Sequence, residues 1–197
     1  MRIGLIGESP FDTYAIINLL SKKYPHTYKV VLERIKGHHL DNKKNCNNIV
    51  ISLKKDPYDL VIFIRDLDSD EGDSEAKKKK MDWFNYLSNQ SKIPSIFLLN
   101  IYELEALMLA DIDNFNHLFN SKINFTGDPT MKKDPKEFLM SKTKKGKREY
   151  KESDTEEIFK KLDIEKIKAK CNYFRAFINE FEEKTDKTKV SRTKTKK

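Results

Sequence analysis

Short apolar runs and helical stretches alternate through the first 111 residues. Arg2-Ile3-Gly4-Leu5-Ile6 is a brief apolar run, followed by Gly7-Glu8-Ser9-Pro10. Pro10 suits the first turn of a helix, with Ser9 as its cap. Residues 11–23 then place Phe11, Tyr14, Ala15, Leu19 and Leu20 on one helical face, and the pattern stops before Pro25. Residues 27–35 are rich in Tyr, Val and Ile and predict a second strand; Gly37-His38-His39 predicts a loop and 45–55 a helix. Leu60-Val61-Ile62-Phe63-Ile64 is continuously apolar and β-branched, as in a strand covered on both faces of a parallel sheet. A helix is expected over 73–91, basic and solvated at Lys77 to Lys80 and apolar at Met81, Trp83, Phe84 and Leu87. Pro94 ends it, 95–99 make a fourth strand, and 102–111 are strong helix formers. That order predicts an α/β fold: a mostly parallel sheet of about four strands flanked by helices, built by residues 1–111.

From residue 112 the texture changes. Asn, Lys, Asp and Gly become frequent, and no further strand is predicted. Asp134 and Pro135 open a short helix, and the stretch 142–148, with five basic residues in seven, reads as a mobile loop. Ser153 or Asp154 caps a helix over 156–162, and 164–183 form one or two helices packing through Phe174, Phe177, Ile178 and Phe181. Residues 112–183 are therefore expected as a helical C-terminal part packed on the core. The stretch 184–197 holds seven basic residues against one acid and almost nothing apolar, so it predicts a disordered basic tail. Its removal is expected to weaken nucleic-acid binding and nothing else.

Composition narrows the field. At 197 residues the chain suits one domain with a small appended lobe. Charged residues make up 36% and the formal charge is +8, which favours a polyanionic partner. Cys46 and Cys171 match no zinc spacing and are expected as free buried thiols. No run is apolar enough to span a bilayer, and the first residues read as a strand rather than a signal peptide, so a soluble cytoplasmic protein is expected.

The candidate chemistry lies at the ends of the strands. Asp66, Asp68, Asp70 and Glu71 put four acids within six residues where the central strand stops. Ligands of open α/β sheets sit beyond the carboxyl ends of the strands, and hard cations such as Mg2+ take oxygen donors. Glu8 follows the first strand, and Glu103 and Glu105 follow the last. If those strands are neighbours, the acids converge on one rim. Glu105 lies in an otherwise apolar helical segment, where a carboxylate needs a metal or a lysine beside it.

A glutamate after the first strand and an Asp-x-Asp after a later one resemble the Toprim domain, the metal-binding fold of topoisomerases, primases, OLD-family nucleases and the ribonuclease that matures 5S ribosomal RNA. More closely, the chain resembles the DUF4276 family. The matching stretches include Leu5-Ile6-Gly7-Glu8, Phe63-Ile64-Arg65-Asp66-Leu67-Asp68, Tyr102-Glu103-Leu104-Glu105-Ala106-Leu107, Asp134-Pro135-Lys136-Glu137-Phe138-Leu139, Tyr150-Lys151 and Cys171-Asn172-Tyr173-Phe174-Arg175. Two positions depart from the pattern. Gly7-Glu8 reverses the usual Glu-Gly order, and Leu107 stands where the family has tryptophan.

The resemblance implies a Mg2+-dependent nuclease, with Mn2+ as an alternative ion, working with an ATPase of the AAA or ABC type in defence against phage. A second copy of the chain is a further partner it admits. On that reading Glu8, Asp66, Asp68 and Asp70 are the expected metal ligands. Glu105 completes the metal site or acts as general base, and Lys136 and Lys151 neutralise phosphates. The basic loop 142–148 would track a nucleic-acid backbone. His38 and His39, beside Gly37, are left outside the site. Two other readings compete. A haloacid-dehalogenase-type phosphatase also uses Asp-x-Asp after a strand, but on its earliest strand and with hydroxyl residues following. A non-catalytic, metal-stabilised subunit of an ATPase complex would instead expose an apolar patch on its C-terminal helices.

Overall fold

The computed structural model describes the backbone of residues 1–32 and 40–194, with side chains as far as 186. Four parallel strands form one sheet: β1 (Arg2–Ile6), β2 (Thr27–Val30), β3 (Leu60–Asp66) and β4 (Ser95–Asn100), in the order β2-β1-β3-β4. From β1 the chain goes first to one neighbour, β2, and then to the other, β3. The carboxyl ends of β1 and β3 therefore border the topological switch point, where open α/β sheets bind their ligands. Register pairs Ile6 with Phe63 and Asp66 with Asn100, so β1, β3 and β4 end on one rim.

Alternation along the strands divides the core. Ile3 and Leu5 of β1, Leu60, Ile62 and Ile64 of β3, and Ile96 and Leu98 of β4 point to one face. There they meet helix α1 (Pro10–Ser21) through Ala15, Ile16, Leu19 and Leu20. Ile6, Val61 and Phe63 point the other way, toward α2 (Lys43–Lys55) and α3 (Ser74–Ser91). Trp83 of α3 meets Phe63 edge-on, with ring centroids 5.6 Å apart. Each β-to-β connection carries a helix, as parallel pairing requires.

The rest of the chain closes the first face. Helices α4 (Ala106–Ala110), α5 (Ile112–Phe119), α6 (Pro135–Thr143), α7 (Thr155–Phe159), α8 (Ile164–Lys170) and α9 (Asn172–Lys194) follow. Phe115, Tyr150, Phe159, Phe174 and Phe181 enter the same core as β1 and α1. Asp111, 1% exposed, ties these helices together: it accepts from Asp163 N at 2.8 Å and pairs with Lys166 at 3.0 Å. Cys46 and Cys171 are free and buried. Among the described residues no helix is long and apolar enough to cross a membrane.

Several elements differ from expectation. The second strand ends at Val30; residues 33–35 of the stretch, and the loop with His38 and His39, lie outside the described residues. The helix expected from 102 begins at Ala106. Tyr102 takes a left-handed φ of 56° and its N–H donates to Ser69 O, while Asp68 N donates to Tyr102 O. That crossed pair of bonds uses the chain as a turn where propensity favoured helix. The basic half of α3 is not solvated throughout: Lys80 is 8% exposed. Finally, the start of the 184–197 stretch is not a detached tail. Helix α9 runs on to Lys194, Lys184 Nζ donates to Ser95 O at 2.7 Å, and Thr185 is 3% exposed with its hydroxyl donating to Phe181 O. Composition missed this because the first turn of the stretch is held by hydrogen bonds rather than apolar contacts.

Candidate active site

The site grows from the strand ends. Beyond β1 the chain turns tightly into α1: a Cβ on Gly7 would lie 2.6 Å from Thr13 Oγ1, so only glycine allows this approach. Ser9 caps α1 by accepting from Asp12 N at 3.2 Å. Glu8 is thereby presented at the switch point and Asp12 enters the first helical turn behind it. Beyond β3, Asp66 is fixed by Asn100 Nδ2 at 2.9 Å, and Asp68 takes a left-handed φ of 61° that turns the chain outward. Beyond β4, the turn at Tyr102 delivers Glu103 and then Glu105, 4% exposed, at the start of α4.

These acids line one pocket of about 470 Å3. Its walls carry seven carboxylates (Glu8, Asp12, Asp66, Asp68, Glu103, Glu105 and Glu152) and one cation, Lys136. Lys136 comes from the first turn of α6, outside the sheet, with Nζ 3.8 Å from Glu103 and 3.9 Å from Glu105. Its backbone N–H also donates to Glu103 Oε2 at 3.2 Å.

Crowding and burial show in the titration of these groups. Burial pushes Asp66 well above its ordinary value, with the charges of Asp12, Glu105 and Glu8 adding to the rise and the Asn100 hydrogen bond opposing it. Burial raises Glu105 to about 7, against the pull of Lys136 and of the Tyr150 hydrogen bond. Asp12 is likewise raised by burial, to about 6. Burial alone would lower Lys136, but Glu105 and Glu103 outweigh it and the net shift is upward.

Glu8 is held from behind. Arg65 of β3, 2% exposed, donates through Nε to Glu8 Oε1 and through Nη1 to Asp41 at 3.1 Å, with its guanidinium 4.8 Å from the Trp83 ring centroid. Lys80 bridges Glu8 and Asp68, 3.2 Å from an oxygen of each. This bridge explains the burial of a lysine in the basic half of α3. Glu105 has its own buried partners: Tyr150 OH donates to Oε1 at 2.9 Å and lies 3.2 Å from Thr155 Oγ1.

Five expected site residues meet here: Glu8, Asp66, Asp68, Glu105 and Lys136. Two do not. Asp70 is exposed and spends its carboxylate on Gly72 N at 2.8 Å, closing a turn, so it is not a ligand in this arrangement. Lys151 is exposed and begins a short 3-10 turn, its N–H donating to Asp154 at 2.9 Å. The sequence reading missed Asp12, Arg65, Lys80 and Glu152. Asp12 carried a signal, an acid in a first helical turn four residues after a strand-end glutamate. Arg65 and Lys80 carried none, because their common partner Glu8 lies 57 and 72 residues away.

The donor set is all oxygen and strongly negative, the chemistry that hard divalent cations take. Among the described residues, no three His, Cys, Asp or Glu side chains are gathered tightly enough to hold a metal ion as they stand. Two cationic side chains already lie against Glu8, and Lys80 also against Asp68. Asp66, by contrast, accepts from the neutral Asn100 side chain and stands among acids that raise it. The donors suit such an ion chemically, with Glu8 after β1 and Asp66 and Asp68 at the end of β3 as the carboxylates that would hold it.

A family model described as a domain of unknown function, DUF4276, matches residues 8–182. No curated protein and no solved structure matches the chain.

Proposed function

The chain belongs to the DUF4276 family, and on that premise we propose that it is a metal-dependent phosphodiesterase of the Toprim type that hydrolyses nucleic acid. We place it in the cytoplasm, as the cutting component of an anti-phage system that works with an ATPase. One observation carries the reading: Glu8, Asp66, Asp68, Glu103 and Glu105 line one pocket at the β1/β3 switch point, with Lys136 as the one cation in its wall.

Asp66, Asp68 and Glu8 would hold Mg2+, or Mn2+ in its place. Such an ion would supply charge to polarise a phosphate and to favour a nucleophilic water near neutral pH. Glu105 then has the means to act as general base. Burial raises Glu105 toward the range where general bases are most effective. Tyr150 engages Oε1, which leaves Oε2 for the attacking water. As the water oxygen bonds to phosphorus, Glu105 takes its proton, the P–O ester bond breaks, and the departing oxygen is protonated by solvent. Lys136 faces the same pocket as a charge for a non-bridging phosphate oxygen.

The test is cleavage of plasmid, single-stranded DNA and total tRNA with Mg2+, with Mn2+ and with EDTA, beside Asp66→Asn. Metal-dependent cutting that disappears in the variant supports the reading, and equal cutting by the variant overturns it.

A second reading has its own observation. A largely apolar groove of about 330 Å3 lies between α3 and α9, lined by Met81, Phe84, Phe97, Leu99, Tyr173 and Phe177. That is the kind of patch a non-catalytic subunit of an ATPase complex would present. A folded protein that cuts nothing in the panel but co-purifies with an ATPase would favour it.

A further inference from the structure

We infer that α6 and its flanks form a phosphate track that leads a single strand of nucleic acid around the helix and into the carboxylate pocket. The inference rests on the phosphodiesterase reading for what the pocket does, but the track itself is read from charges outside it.

Several cations of this protein are matched. Lys23, Lys29, Arg65, Lys80, Arg148 and Lys166 each lie within ion-pair distance of a carboxylate. Around α6 unmatched cations are gathered. Among the described residues, Lys122, Lys132, Lys142, Lys144, Lys145 and Lys147 have no carboxylate at that distance. They are not scattered. Lys122 and Lys142 line one depression of about 300 Å3. Lys132 and Lys142 both stand over the Phe138 ring, with Nζ 4.5 Å and 5.5 Å from its centroid. Lys144, Lys145 and Lys147 continue from the end of α6. Like charges brought together in this way repel, and a polyanion relieves the repulsion while releasing its own counterions. Arg148, the last basic residue of this stretch, is not part of the track: it is bound to Asp154 at 2.6 Å and Glu157 at 2.9 Å.

Helix geometry then chooses between a strand and a duplex. Lys136 faces the pocket, whereas Lys142 faces Phe138 and Lys122. Six residues advance the helix by about 600°, so the two side chains leave it roughly 120° apart. A ligand that touches both must bend around an object about 10 Å across. A single strand can do this over a few nucleotides; a duplex with a persistence length of about 150 base pairs cannot without deformation.

The experiment is fluorescence anisotropy of a labelled 20-nucleotide single-stranded DNA and of the same sequence as a duplex, in EDTA so that nothing is cut. Wild type, the triple variant Lys122→Glu/Lys132→Glu/Lys142→Glu and its Lys-to-Arg counterpart would be titrated from about 50 to 200 mM salt. The single strand should bind wild type more tightly than the duplex does. The charge-reversed variant should lose about tenfold or more in affinity and flatten the salt slope by about two, at roughly 0.7 per phosphate contact. The Arg variant should bind as wild type does, which separates lost charge from a lost fold. Unchanged affinity and slope in the charge-reversed variant, or a duplex bound as tightly as the strand, would overturn the track. Binding through these lysines by a protein that cuts no substrate with Mg2+ or Mn2+ would uphold the track and remove the phosphodiesterase.

Discussion

The Tyr150 hydroxyl donates to Glu105 Oε1 at 2.9 Å, and the two side chains are 0% and 4% exposed as residues. Tyr150 is a positioning residue: it orients a carboxylate that sits at the edge of the pocket and fixes which oxygen faces the chemistry. The hydrogen bond stabilises the ionised carboxylate, so it restrains the upward shift that burial imposes. Tyr150→Phe should therefore move the acidic limb of the pH–rate profile upward, because Glu105 loses a hydrogen bond that favours its ionised form. It should also cost about 1–3 kcal/mol of stability. A profile with an unmoved limb would remove Tyr150 from the mechanism.

Glu105 also sets a pH dependence of stability in the metal-free protein. Below its ordinary value of 4.5 the carboxyl is protonated both folded and unfolded, and adds nothing to the pH dependence. Between 4.5 and about 7 the unfolded chain releases the proton and the folded chain keeps it, so stability falls as pH rises. Above that window the cost is complete, on the order of 3 kcal/mol. Glu105→Gln in EDTA should raise the melting temperature at pH 8 and leave it unchanged at pH 4. A gain at pH 4 equal to that at pH 8 would contradict the assignment.

Asp66 carries the largest concentration of like charge in the site. Replacing it by asparagine keeps the shape and removes the repulsion with Asp12, Glu105 and Glu8. The variant should lose about 100-fold or more in metal-dependent turnover while melting at or above the wild-type temperature, since an uncharged group no longer bears the burial cost. Turnover within a few fold of wild type would show that Asp66 does not hold the ion.

Arg65 links Glu8, Asp41 and the face of Trp83 from inside the sheet. Arg65→Met would strand a half-buried glutamate. Breaking a buried pair costs about 3–5 kcal/mol, which the 20% and 37% side-chain exposure of Glu8 and Asp41 reduces to about 2–3. Urea denaturation measures it directly, and a loss under 1 kcal/mol would mean that Glu8 finds its support elsewhere. Lys80→Met should cost less, because its second partner, Asp68, is exposed.

Deleting 184–197 tests the docked start of that stretch. The deletion removes the Lys184 bond to Ser95 O and the buried Thr185. It should lower stability by about 1–2 kcal/mol, read as a shift in the urea midpoint. An unchanged midpoint would return the whole segment to the role of an unattached tail.

What the sequence revealed and what it hid divide along physical lines. The order of strands and helices was legible because apolar period and length are local properties, and Asp66, Asp68 and Glu8 stood out as acids at strand ends. Glu105 stood out as a charge in an apolar segment. The turn at Tyr102 did not, because its cause is a pair of hydrogen bonds to Asp68 and Ser69 across the strand ends, while the local residues favour helix. Lys80 looked like one more lysine in a run of four, and only the fold brings it to Glu8 and Asp68. Asp70 misled for the converse reason: its neighbours in sequence belong to the site, but its carboxylate serves its own turn.

The sharing of one core by β1, α1 and the C-terminal helices also bears on how the chain matures during synthesis. Phe181 packs against Tyr24, 5.1 Å between centroids, in the same cluster as Ile3 and Leu5. The acids of the rim leave the ribosome early, while Lys136 and Tyr150 emerge later and Phe181 last of all. Until the C-terminal helices follow, α1 alone covers that side of the sheet and the carboxylates have no lysine from α6 among them. The first hundred or so residues are thus a half-finished surface, whose pocket and core both depend on segments made later.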